Sequence, residues 1–472
     1  MRMTVVVLTA LPAAPLAANP QSTPTPTDPA KAQQPAQPVP VPHVSFEGPA
    51  LTFDFAAVQI GSAEYEEGPT GATVLLFPKP VKAAVDVRGG APGTIHTDGL
   101  RLAYDDPFVN AITLAGGSAY GLSVATGVAN ALKERTANSG GWENIQVVPG
   151  AIIFDLGDRR YNGVTPDERL GRAALDAVRV GWVPLGARGA GRFAMQGEES
   201  QHSGQGAAFR QAGETKVLVV TVVNASGDIV DRNGRILRCA HPVAGDCGAI
   251  SDRIAKHLAA LGTTKHADAG VGDHSGLTAN TTITVVVTNK PLPFWALQRL
   301  AVQVHTSMAR AIQPFSESDD GDTLFAVTTG EAKGAAISDD DLDDLGLLAS
   351  ETAWDAVLAT APVLPPAAPR TDVTLTSAMA DACMGRYEFA QGAIGEIRRN
   401  SAGLEIEVTG QDTLYLPVGK WVSLALVASD EFELATPRAD RLHLDRDARG
   451  RIVGLTINPG PWPVRARRLT PN

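Results

Sequence analysis

The rhythm of apolar positions changes several times along this chain. Residues 217–223 and 281–288 are nearly unbroken runs of β-branched and aliphatic side chains bounded by turn formers, a pattern that predicts strands covered on both faces. After Pro291-Leu292-Pro293 the spacing lengthens: Leu297, Leu300, Val304, Met308 and Ile312 recur at three and four residues, which predicts a helix running to Ile312. Ser338 reads as the N-cap of another helix. Asp339, Asp340, Asp341, Asp343 and Asp344 in its first turns complement the helix dipole, so this acidic run calls for no metal. Strands and helices alternate from about residue 44 to 360, which predicts a mixed α and β domain. Beyond a Pro/Ala-rich segment at 361–370, period-two stretches at 404–408 and 442–444 and turns such as Asp447-Ala448-Arg449-Gly450 predict a small β-rich unit over 371–472, an antiparallel barrel or sheet.

The N-terminus belongs to neither pattern. Arg2, a short apolar run and an Ala-rich stretch predict a signal peptide over 1–18, and residues 19–43, mostly Pro, Gln, Thr and Ala, read as a tether. Export implies a periplasmic or secreted protein. In that oxidising setting Cys239 and Cys247, close together in one loop, can pair, while Cys383 stays free. No stretch is long and apolar enough to predict an integral membrane segment. With 40 Lys plus Arg against 51 Asp plus Glu, a net charge of -11, the chain lacks the basic excess that nucleic acid requires of a partner.

Several candidate chemistries fail on spacing. Gly116-Gly117-Ser118-Ala119-Tyr120-Gly121 has Tyr where a nucleophile elbow needs Gly. A strand before this turn and a helix after it leave two readings, backbone amides facing a ligand or tight packing, of which packing is the simpler. No histidines stand at HExxH spacing. His266, Asp268, Asp273 and His274 lie in a Gly-rich loop that suits solvated residues, so neither a metal nor a cofactor is predicted. At Asn280-Thr281 a polar loop runs into a β-branched strand. Were the bond between them cut, Thr281 would carry a hydroxyl and an α-amine on one residue, and an amine with a pKa near 7.7–8.0 can take the hydroxyl proton. A threonine opening a strand is also ordinary.

Resemblance decides between these readings. Residues 65–74, 84–91, 114–122 and 204–210, the junction Asn280-Thr281-Thr282-Ile283, and the run from Ile312-Gln313-Pro314-Phe315 through Asp320-Gly321-Asp322-Thr323 to Thr329 resemble the nylon-oligomer hydrolases. These are 6-aminohexanoate-oligomer endohydrolases of the P1 peptidase family, which also holds β-aminopeptidases and L-aminopeptidase D-amidase/esterases. The likeness spans about residues 53–358.

It implies an α+β fold, a four-layer αββα sandwich of the N-terminal-nucleophile kind, with the β-rich C-terminal unit outside the pattern as an accessory or oligomer-contact domain. It further implies a precursor that cleaves itself between Asn280 and Thr281, Thr281 as nucleophile, Asp320 and Asp322 orienting it, Asn224 donating to the reacting carbonyl, and an assembly of processed two-chain units. Two positions depart from the pattern. Glu198 follows Gly189-Ala190-Gly191 where the family has a lysine, and Phe154 precedes Asp155 where it has a tyrosine. Arg192, in the same loop as Glu198, is the candidate to replace the lost positive charge. The expected activity is hydrolysis of linear amide oligomers. The alternatives are a β-peptidyl or D-selective aminopeptidase and, should Glu198 and Phe154 mark decay of the site, a non-catalytic binding scaffold.

Overall fold

The computed structural model describes residues 39–102, 107–157, 159–240, 246–261, 280–332, 338–361, 373–410, 416, 419–436, 440–458, 460 and 462–470. The signal-peptide segment, most of the tether, the linker from residue 362 onward and the loop carrying His266, Asp268, Asp273 and His274 lie outside the described residues.

The uninterrupted apolar runs become the centre of a sheet with ten strands among the described residues. The strands that build the site and its support are β1 (Gln59–Tyr65), β2 (Thr70–Val87), β3 (Phe108–Ala115), β4 (Gly150–Ile152), β5 (Gly204–Ala212), β6 (Thr215–Asn224), β7 (Thr281–Thr288) and β8 (Thr323–Thr328). Their hydrogen-bonded order is β5-β6-β7-β8-β2-β3-β4, with β1 on the other side of the first half of β2. Every residue of β7 is buried, as a strand covered on both faces requires. Its odd-numbered Ile283, Val285 and Val287 share one core with Leu218 and Val220 of β6 and with Leu75 and Ile112 of β2 and β3.

Helices cover the outer faces. α1 (Ser123–Arg135) and α2 (Glu168–Asp176) pack Val124, Val128 and Leu170 against Ala63, Val74 and Ala111 of β1, β2 and β3. α3 (Phe294–Ser307) and α4 (Asp339–Leu358) pack Leu297, Leu300, Ala349 and Ala353 against Val219, Val286 and Leu324. Ser338 caps α4 in a reciprocal capping box with Asp341, which accounts for the acidic run.

The helix expected to reach Ile312 ends at Ser307 instead. A single 3-10 turn, Met308–Arg310, follows, and Ile312 pairs with Ile229 in a short strand. Met308 and Ile312 nevertheless stay in the α3 core cluster. The spacing thus reported a buried face correctly and overstated the length of the helix.

The C-terminal unit is a closed barrel of eight antiparallel strands among the described residues. These are β9 (Gly385–Ala390), β10 (Ala393–Asn400), β11 (Gly403–Thr409), β12 (Val422–Ala428), β13 (Glu431–Leu434), β14 (Arg441–Arg446), β15 (Ile452–Ile457) and β16 (Val464–Arg468). Closure removes the free sheet edges that a small β unit would otherwise expose. Cys239 and Cys247 are joined in a disulfide, and Cys383 is free and buried.

Candidate active site

β7 and β8 run parallel with Ile283 opposite Thr323, so both strands start at the same edge of the sheet. The residues just before each strand therefore meet. Asn280 bridges Asp320, and the Gly321 N–H donates to the Asn280 carbonyl oxygen at 2.7 Å. On the other flank, antiparallel pairing of β6 with β7 sets Asn224 opposite Thr281. Asn224, Asn280, Thr281, Asp320 and Asp322 converge here, all buried.

The Thr281 hydroxyl donates to the Asn280 carbonyl oxygen at 2.5 Å, against the peptide bond that precedes it. That oxygen thus receives both a hydroxyl and a backbone amide. Only glycine fits at position 321, because a β-carbon there would lie 2.5 Å from Thr281 Oγ1 and 2.8 Å from the Ala91 carbonyl oxygen.

The two aspartates are held by neutral donors. Asp322 Oδ1 accepts from the Thr282 N–H at 2.5 Å, and Oδ2 accepts from the N–H and the hydroxyl of Ser316, each at 3.1 Å. Asp320 Oδ1 accepts from the Ser226 hydroxyl at 3.2 Å, and Oδ2 from the Glu317 N–H at 3.0 Å. Ser226 Oγ in turn accepts from Asn280 Nδ2 at 2.7 Å. Neither carboxylate has an ion-pair partner among the described residues. Burial raises both above the ordinary aspartate range, and with the charge of Asp320 adding to it Asp322 is pushed up to about 7.

Asn224 is fixed at both ends of its amide. Oδ1 accepts from the Met195 N–H at 2.9 Å, and Nδ2 donates to the Phe154 carbonyl oxygen at 3.1 Å. Next to Phe154, Asp155 accepts from the Gly117 N–H at 2.7 Å and from the Thr70 hydroxyl at 2.5 Å. The Gly116-Gly117 turn therefore serves packing: its Gly117 amide is bonded within the protein, and a β-carbon on Gly116 would lie 2.2 Å from Asp155 Oδ2.

Residues 50–362 match peptidase family S58. The chain belongs to this family. It is 41% identical over 330 residues to the 6-aminohexanoate-oligomer endohydrolase of Paenarthrobacter ureafaciens, covering 65% of this chain and 85% of that one. It is likewise 41% identical over 333 residues to the protein of the same description from Kocuria sp. (strain KY2), covering 66% and 86%. Among solved structures, a Burkholderia sp. beta-aminopeptidase superposes with a TM-score of 0.49 at 18% identity, over 67% of this chain and 89% of that one.

This S58 chain is thus an amide-bond hydrolase, and its barrel lies beyond the matched segment. Among the described residues no group of three or more His, Cys, Asp or Glu is arranged to hold a metal ion, and no helix is long and apolar enough to cross a membrane. Of the two departures, Phe154 contributes its backbone carbonyl to Asn224, while Glu198 is exposed on the loop of the hairpin formed by Met195–Gln196 and Gln201–His202. Arg192, the candidate replacement for the lost positive charge, pairs its buried guanidinium with Glu66 at 3.0 Å and with Glu64 at 3.3 Å. Four site residues escaped the sequence reading: Gly321, Ser226, Ser316 and Met195. Gly321 had a visible signal in its place between the two aspartates. The other three act through contacts that have no local pattern.

Proposed function

We propose that this S58 hydrolase is a self-processing enzyme that cuts its own chain between Asn280 and Thr281 and then uses the Thr281 N-terminus to hydrolyse linear amide oligomers such as those of 6-aminohexanoate. The carrying observation is the Thr281 hydroxyl lying against the Asn280 carbonyl, whose oxygen the Gly321 N–H already polarises. Attack of Oγ1 on the carbonyl carbon puts negative charge on that oxygen, where a preplaced donor is worth most. Collapse breaks the C–N bond as the proton lost from the hydroxyl passes to the departing nitrogen, and water hydrolyses the resulting ester to the Asn280 carboxylate and the free Thr281 hydroxyl.

The new α-ammonium then lies beside Asp320 and Asp322, two carboxylates that face no cation among the described residues. In its neutral form the amine takes the Thr281 hydroxyl proton as that oxygen attacks a substrate amide. The acyl-enzyme forms with expulsion of the substrate amine, and water releases the acid. Asn224 steadies the site from the β6 side.

The two helix pairs flanking a shared inner core support reading this region as a four-layer αββα sandwich. The Cys239–Cys247 disulfide supports an exported protein with a cleaved leader. Assembly of processed pairs into oligomers belongs to the same reading.

Denaturing mass spectrometry of the full chain and of Thr281→Ala tests it. The expected result is a fragment beginning at Thr281 in the wild type and an uncut variant. A wild-type chain that stays whole while hydrolysing amides would remove self-processing, and a processed chain inactive on 6-aminohexanoate oligomers would remove the substrate.

A further inference from the structure

The barrel meets the hydrolase region through the turn between β15 and β16. Trp462 in this turn is buried and stacks on His202, ring centroids 4.6 Å apart and planes 9° from parallel. Arg238 places its guanidinium 5.2 Å from the centre of the Trp462 ring and donates to the His202 carbonyl oxygen at 2.7 Å. Phe193 meets the His202 ring edge-on at 5.0 Å and shares an apolar cluster with the barrel interior. The two regions therefore pack as one compact unit.

His202 stands opposite Met195 in the small hairpin of the site. With two residues in each strand, this hairpin cannot hold its own position in water and takes it from what packs on it. Met195 is the residue whose N–H engages Asn224 Oδ1. An asparagine amide has an acceptor end and a donor end, and the bond to one end determines where the other points. Here it directs Nδ2 away from Met195 and onto the Phe154 carbonyl oxygen, while the Asn224 backbone pairs with Thr281. A continuous series thus runs from the barrel indole through His202, Met195 and the Asn224 side chain to the strand pairing of Asn224 with Thr281.

We infer that Trp462 is a positioning residue for the amide hydrolase reaction: by stacking on His202 it holds the hairpin at the place where Met195 fixes the side chain of Asn224, the strand partner of Thr281. The inference rests on the function proposed above. It gives the barrel, which lies outside the family-matched segment, a part in the active site beyond the accessory or oligomer-contact role expected from sequence.

The test uses the full chain with Trp462→Ala, Trp462→Phe and His202→Ala, and with Asn224→Ala alone and combined with Trp462→Ala. Processing is read by intact mass, and kcat and KM are measured on a linear 6-aminohexanoate oligomer. Loss of the stack is expected to lower kcat about tenfold, the scale of one aromatic contact, with KM within about twofold. Trp462→Phe should restore most of the rate. His202→Ala should reproduce the loss from the hydrolase side, leaving the barrel interior untouched, so the inference stays testable if Trp462→Ala does not fold. Since the indole acts through Asn224, Trp462→Ala should cost nothing further in the Asn224→Ala background. An equal loss in both backgrounds, a kcat unchanged in folded Trp462→Ala or His202→Ala, or no rescue by phenylalanine would overturn the inference. A wild-type chain without amide turnover would instead overturn the function beneath it, and the inference with it.

Discussion

Two carboxylate clusters of this molecule, one around Glu64 and one around Asp322, differ in where positive charge comes from. Around Glu64 and Glu66 the cations are built in: Arg192 at 3.3 and 3.0 Å, and Arg188 at 3.9 Å from Glu64. Burial pushes Glu66 up, but Arg192 draws it below its ordinary value. For the more deeply buried Glu64, burial outweighs both arginines and the carboxyl rises to about 7. Around Asp320 and Asp322 the donors are backbone amides and hydroxyls, with no cation among the described residues. The first cluster is a finished structural device. The second holds its carboxylates ready for a positive charge that cleavage before Thr281 would create beside them.

Three measurements separate a structural cluster from a catalytic one. The largest expected effect is on stability at the first. Arg192→Met leaves Glu64 buried beside one distant arginine, and breaking a buried pair in this way costs about 3–5 kcal/mol. Denaturant unfolding should show that loss, with the cut before Thr281 intact under native conditions. At the second cluster the same logic predicts the reverse. Asp322→Asn removes a buried charge with no ion-pair partner among the described residues, so stability should hold or rise, while processing and amide turnover fall about 10²–10³-fold as a preorganised electrostatic group is lost. Equal destabilisation by the two substitutions would erase the contrast.

The smallest effect is a pH slope. In uncut Thr281→Ala, Asp322 with its pKa of about 7 binds its proton more tightly than in the unfolded chain, where the ordinary value is 3.8. The folded state therefore carries the extra proton between these values, and stability falls as pH rises through that window, by up to about 1.4 kcal/mol per pH unit. Thr281→Ala/Asp322→Asn should lack this component. Glu64 contributes a slope of the same sign to both proteins, so it cancels in the difference. Identical pH profiles of the two would show that Asp322 is not held protonated.

Much of this architecture was legible along the chain, and the reasons differ by element. β6 and β7 announced themselves because a strand covered on both faces must be apolar at nearly every position. α4 was visible through its Ser338 cap and acidic first turn, both local chemistry. The overlong reading of α3 has an equally physical cause. Met308 and Ile312 still face the core after the helix has ended, and spacing records burial without recording backbone geometry. In the site, Asn280, Thr281, Asp320 and Asp322 were found through a motif. The partners of Arg192 were not, since Glu64 and Glu66 lie far from it in the chain.

By itself, the sequence determined the strands, the helix caps, the β-rich C-terminal unit and which side chains carry reactive groups, because periodicity, capping and composition act over a few residues. Only the tertiary structure decided what those groups do to one another. Parallel pairing of β7 with β8 set the Gly321 amide on the Asn280 carbonyl, burial and the charge of Asp320 set the proton affinity of Asp322, and docking of the barrel put Trp462 against the hairpin behind Asn224. Each of these depends on register and burial between segments distant in the chain, where no local pattern records which neighbour will arrive.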